Sequence, residues 1–239
     1  MSNTKQIALG VMQYIQDFDE LLPVIGDNAQ CRGRWQWQLY PYVKNADVFT
    51  CPNISSNRWV PNNALIAACG PTRLGTGDIS GYGWSGALNY DCRGATYPAC
   101  PGYNTAEIKK PAATIIVGDV AFDGQAGYYM YAKNPALAGT GGASPWYYPN
   151  FRHNTSRTVS YTATVVGRNN QTVFPLPVAG RANFTFLDGH AKSLDPGTAF
   201  QEAPRVGANY QEDGQNLNNT APPNETNGFN SHYVLWNIF

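Results

Sequence analysis

Charge is what this sequence has least of. Acidic and basic residues together fill only 13% of its 239 positions, 16 of each sign, for a formal net charge of zero. Such a chain offers no electrostatic footprint for a phosphate backbone or an anionic bilayer, which excludes nucleic acid as a partner class. Long apolar runs are missing as well: no stretch approaches the ~20 residues that a spanning helix needs. Cysteine is sparse and scattered, with five in all and no Cys-x-x-Cys pair, so the spacing argues against zinc and for disulfides. There is no Gly-x-Ser-x-Gly elbow, no phosphate loop and no His-Glu-x-x-His, and histidine occurs only three times. Catalysis is therefore not expected.

Tyrosine, asparagine, glycine and threonine are plentiful, a composition that suits an extracellular β-rich surface. The opening residues add one clear element. Ile7, Val11, Ile15, Phe18 and Leu22 recur at steps of three and four, while Lys5, Gln6, Gln13, Gln16, Asp17 and Glu20 take the opposite side. The pattern predicts an amphipathic helix with one face on a core, capped by Ser2 or Asn3 and stopped by Pro23.

Beyond it, residues 24 to 63 read as irregular, anchored by Trp35, Trp37, Tyr40, Tyr42 and Phe49 used as packing. Residues 70 to 102 read as a structured loop pinned by bridges, Cys92 with Cys100 locally and Cys31 with Cys51 behind the helix, leaving Cys69 odd. Strands are predicted at 114–117, 128–131, 158–166, 171–174, 183–187 and 190–194. Asp188-Gly189 separates the last two and predicts a tight turn with positive φ at both central residues. Residues 212 to 228 form a polar surface loop, and the final residues, 233–239, are apolar enough for a docked strand or a subunit contact.

Several stretches occur in an order that resembles a known family: the first helix, Trp37-Gln-Leu-Tyr-Pro-Tyr-Val-Lys-Asn-Ala-Asp-Val-Phe-Thr-Cys-Pro52, Gly81-Tyr-Gly-Trp84, the run from Glu107 to Asp119, Arg152-His-Asn154, and Ala182-Asn-Phe-Thr-Phe-Leu-Asp-Gly-His-Ala-Lys192. Together they look like type IV pilin-like or pseudopilin proteins carrying the prepilin-type processing-associated domain, named for a His, nine residues and Asp-Gly. The resemblance implies an α+β, pilin-like fold: residues 1–23 as the C-terminal half of a pilin-type helix, and residues 24–239 as a β-rich head of antiparallel sheet with disulfide-pinned loops. Here His153 and Asp188 are far apart, and residues 155–181 read as an inserted hairpin. Family members begin with a basic leader, a processing site and an apolar half-helix. The expectation is that upstream coding sequence or a small partner supplies these, and that Cys69 has its partner there too. The implied role is a structural subunit of an extracellular or cell-surface bacterial filament, acting by self-association, with the membrane reached only through that apolar segment.

The candidate residues divide by chemistry. His153, Asp188 and Gly189 carry the family motif, and turn geometry with a structural histidine bond accounts for them. A catalytic or metal cluster would have to draw on His153, His190 and His232 with Asp119, Asp123 or Asp188. No cofactor is expected beyond calcium, for which Glu212, Asp213 and Asn216, with Asn218 and Asn219, offer oxygens but no EF-hand spacing. Asn53, Asn154, Asn170, Asn183, Asn218 and Asn224 head glycosylation sequons. The main rival reading is a secreted carbohydrate-binding module using Trp59, Trp84, Trp146, Tyr147 and Tyr148, followed by a secreted hydrolase.

Overall fold

A computed structural model describes residues 1–23, 35–53, 81–85, 88, 103–120, 129–130, 149–164 and 171–200. The fold is α+β. Helix α1 (Ser2–Asp17) and helix α2 (Trp35–Val43) lie on a sheet of six strands: β1 (Tyr82–Ser85), β2 (Ile115–Asp119), β3 (Tyr129–Met130), β4 (His153–Thr164), β5 (Gln171–Phe186) and β6 (Ala191–Leu194). Their order is β3-β1-β2-β5-β4, with β6 also on β5. All pairs are antiparallel except β1 with β3, a two-residue parallel contact that departs from the expected antiparallel sheet.

Helix α1 forms as its periodicity requires. Ile7, Val11 and Ile15 are buried, joined by Thr4, Ala8, Gly10 and Tyr14. Its ends differ from expectation. No side chain caps its start; Asn3 instead donates to the Thr50 carbonyl at 2.9 Å. Its last helical residue is Asp17, well before Pro23. Glu20 N–H reaches back to the Ile15 carbonyl, Asp19 and Glu20 take positive φ, and Leu21 bridges Asn104. Pairing with the 103–105 segment therefore ends the helix, and Leu22 is buried from a loop instead of from the helical face.

Helix α2 falls where an irregular segment was expected. Its sequence, Trp-Gln-Trp-Gln-Leu-Tyr-Pro-Tyr-Val, has little helical preference and holds Pro41. Tertiary contact favours the helix: a Cβ on Gly10 would lie 2.9 Å from Val43 Cγ2, so the two helices cross where α1 has no side chain. Tyr42 OH donates to Asp17, and Tyr14 OH to Gln38. The aromatic anchors Trp35 and Phe49 are fully buried, as expected of packing residues.

Between helices and sheet lies one core, with Ile7, Val11, Trp35, Phe49, Trp84 and Leu187 among its members. A second holds Ile115, Phe151, Phe184, Phe186 and Phe200 among its members. Consecutive Ile116 and Val117 both join the helix-side core, which the register irregularity between Ile115 and Val117 permits. Trp84 is fully buried, which removes it as an exposed sugar platform; the other four aromatics proposed for that role lie outside the described residues.

Strand β5 shows what becomes of the insertion. It runs unbroken from Gln171 to Phe186: Gln171–Arg181 pairs with β4, and Ala182–Thr185 pairs with β6. The segment read from the sequence as an inserted hairpin thus continues two strands of the sheet, and its second arm extends past the 171–174 expected. Pro175 and Pro177 sit in the two-stranded part, where a missing N–H interrupts no further ladder. The Asp188-Gly189 turn is also corrected. Only Gly189 has positive φ, Gly189 N–H bonds the Phe186 carbonyl, and Phe186 pairs with His190 across a three-residue loop. Among the described residues no helix is long and apolar enough to cross a membrane.

Candidate functional site

The site lies at the end of β2. Asp119 is opposite Tyr82 of β1, and its carboxylate leaves the sheet on the same side as Val117 and Trp84, beneath the helices. The strand cannot continue there, because Val120 bridges Pro149 and Asn150 N–H bonds the Asp119 carbonyl. That connection sets His153, the first residue of β4, beside the end of β2. Cys51 arrives from the other direction, just after the 3-10 turn Ala46–Phe49, whose Asn45 side chain accepts from Asp47 N–H at 3.0 Å. The Asn3 bond to Thr50 ties that segment to α1.

His153 Nε2 is 3.1 Å from Asp119 Oδ2 and 3.9 Å from Cys51 Sγ. Asp119 Oδ2 also accepts from Asn183 N–H at 2.6 Å. Asp119 and Cys51 are fully buried, whereas the His153 side chain keeps 24% of its exposure. Asn53 places its amide 3.3 Å from His153 Nδ1; an amide can present nitrogen or oxygen there and so serve either state of the ring. The hydrogen bond to Asp119 raises His153 from its ordinary value of 6.5 to about 9, with the Cys51 contact adding to it and burial opposing it. Burial and the nearby Asp119 also push the Tyr82 phenol up. The Arg152 guanidinium is turned to the Val120 carbonyl.

Three residue types of a nucleophilic relay are therefore together, but their arrangement is not a relay. A Cys–His–carboxylate triad needs the thiol on one ring nitrogen and the acid on the other. Here both converge on Nε2.

The other candidates fall elsewhere. His153 and Asp188 do not meet: Asp188 Oδ1 accepts from His190 N–H at 3.1 Å and lies 2.5 Å from His190 Nδ1, in the β5–β6 loop. His190 stacks on Phe186. Gly189 sits in the same loop, with positive φ and its N–H on the Phe186 carbonyl. Cys51 is a free thiol, which corrects its assignment to a bridge with Cys31: its sulfur is taken up in the buried cluster with His153. Cys31, Cys69, Cys92 and Cys100 lie outside the described residues, as do Glu212, Asp213, Asn216, His232, Asn170, Asn218 and Asn224. Asn183 is corrected as a glycosylation candidate, because it is buried within β5; Asn53 and Asn154 are exposed. Asp119 was named in the sequence only as one of three acids, and Cys51 was not placed with it. No local signal joins positions 51, 119 and 153.

Because the native state holds the His153 proton more tightly than the unfolded chain, stability from the pair is complete below about 6.5 and is lost as pH rises through about 9. The loss should be on the order of 1–2 kcal/mol once partial exposure is allowed for. Urea unfolding across that window in a chelating buffer should show it for the wild type and not for His153→Gln; equal slopes would remove the pair from the account.

Compared with protein-family models, curated proteins and solved structures, the chain matches none.

Proposed function

We propose that this chain is a structural subunit of a pilus-like or pseudopilus filament, displayed outside a bacterial cell and acting by self-assembly. The observation that carries the reading is the first helix: it buries one face on a mainly antiparallel sheet and holds Leu9 61% exposed at its opposite pole, with Met1 and Phe18 also exposed near its ends. The order of elements, helix first and β-rich head after, is the one that the resemblance implies. Filament growth repeats one patch against a different patch up the assembly, so it needs an outer surface that the folded subunit leaves uncovered. The clustered Cys51, Asp119 and His153 then tie the 46–53 segment to the strand ends, with no catalytic step required of them.

Leu9→Lys tests the reading, since an exposed position tolerates the change within about 0.5 kcal/mol of stability. In cells producing the full natural protein, the wild type should be recovered in sheared surface filaments, and the variant should be depleted from them at least severalfold while melting normally. Wild-type protein found only as a monomer in the medium, or filaments indifferent to Leu9→Lys, would count against the subunit role.

A further inference from the structure

We propose that Cys51, Asp119 and His153 form a binding site for a single divalent transition-metal ion of the zinc class. The inference does not depend on the filament reading. It starts from convergence: Sγ of Cys51, a carboxylate oxygen of Asp119 and a ring nitrogen of His153 all lie within 4.8 Å of one another. Zinc bonds of about 2.3 Å to sulfur and about 2.0–2.2 Å to nitrogen and oxygen, arranged tetrahedrally, place nitrogen and oxygen about 3.3 Å apart and nitrogen and sulfur about 3.6 Å apart. The separations here are 3.1 and 3.9 Å. Both separations from Nε2 thus stand within a few tenths of an ångström of a coordination shell, and the sulfur and the carboxylate oxygen, within 4.8 Å of each other, would close toward about 3.6 Å on binding.

An independent observation also points to a ligand. Asp119 is fully buried, yet its Oδ1 has no hydrogen-bond partner among the described residues. A buried carboxylate oxygen left unpaired is costly, and a metal ion held through both carboxylate oxygens, Oδ2 and the unpaired Oδ1, is one of the few partners that offsets that cost. The ligand chemistry selects the ion. A thiolate with an imidazole suits zinc and its softer neighbours, whereas calcium and magnesium take oxygen shells. Charge is matched as well: thiolate, carboxylate and neutral imidazole bring two negative charges to a dication, and binding expels both the Cys51 proton and the proton that His153 shares with Asp119 to solvent.

The surroundings fit a metal-bound histidine. With Nε2 turned to the cluster, Nδ1 faces the Asn53 amide, the outer hydrogen bond that fixes ring orientation at such sites. The His153 side chain keeps 24% of its exposure, so solvent reaches the histidine edge of the cluster. Arg152, the neighbouring cation, is held by the Val120 carbonyl. The cysteine spacing that argued against zinc bears only on sites built from paired cysteines. A mixed Cys, Asp and His set drawn from a loop and two strands has no such spacing.

Cobalt(II) is the probe. Titrated into the reduced full chain, it should bind one equivalent and give a thiolate-to-cobalt charge-transfer band, with visible bands of a tetrahedral site. Cys51→Ser should abolish the band, and His153→Gln should weaken cobalt binding at least tenfold. A variant with Cys31, Cys69, Cys92 and Cys100 all replaced by Ser should retain it, as should His190→Gln. Zinc at a hundredfold excess over its Kd should raise the wild-type melting temperature by about 5–10 °C and leave Cys51→Ser unmoved. If Cys51→Ser does not fold in chelator, the cobalt comparison rests on His153→Gln. No band in the wild type, a band that survives loss of Cys51, or equal zinc stabilisation of both proteins would overturn the assignment.

Discussion

Asp119→Ala should destabilise the protein by about 3–5 kcal/mol, the usual cost of removing one partner from a buried pair. Asp119 is fully buried and serves two groups at once, His153 Nε2 at 3.1 Å and Asn183 N–H at 2.6 Å. Without it, the backbone donor of β5 and the raised charge of His153 both lose their acceptor, at the point where β2 gives way to β4 along β5. Small domains are stable by about 5–15 kcal/mol in all, so the variant should unfold at a visibly lower urea midpoint with an unchanged slope. Asp119→Asn, which keeps an acceptor oxygen for Asn183, should lose less. A loss under about 1 kcal/mol for the alanine variant would mean that the pair is solvated and that it does not hold the strand ends together.

Gly180→Ala should be comparably damaging, at about 3 kcal/mol, near the upper end of the usual cost of overpacking. A Cβ at this position would meet the Phe151 carbonyl oxygen at 2.3 Å, Thr155 Cα at 2.8 Å and the His153 carbonyl oxygen at 3.0 Å. All three are backbone atoms, so no rotamer change relieves the contact. Relief must come from separating β5 from the start of β4, which would also carry His153 away from Asp119. The near-ultraviolet circular dichroism and the His153-dependent pH slope should therefore change together in this variant. Gly189→Ala is the contrast. Its neighbour is the flexible Met12 side chain at 3.0 Å, and its strain comes only from φ of +89°, so about 1–2 kcal/mol is expected. Equal effects at the two glycines would show that close strand approach is not what Gly180 provides.

The first helix and the last hairpin were legible in the sequence because each rests on local rules. An apolar residue every third or fourth position has one helical face to bury, and Ile7, Val11 and Ile15 bury it. Asp-Gly between two β-branched and aromatic runs makes a turn, although the three-residue form, with Gly189 alone at positive φ, depended on how Phe186 and His190 pair. Helix α2 was not legible. Its aromatic residues and Pro41 weigh against helix locally, and only the close crossing at Gly10 and the bonds from Tyr14 and Tyr42 decide for it. The end of α1 was decided in the same way, by pairing of Leu21 with Asn104, more than eighty positions away. The candidate site belongs wholly to this second kind. Cys51 follows a 3-10 turn, Asp119 ends β2 and His153 begins β4, and each residue alone reads as a bridge half, an ordinary acid or a structural histidine. Composition and periodicity describe what one segment prefers; the 3.1 Å and 3.9 Å contacts at His153 Nε2 exist because β5 aligns β2 and β4 end to end while α1 holds the Cys51 segment over them.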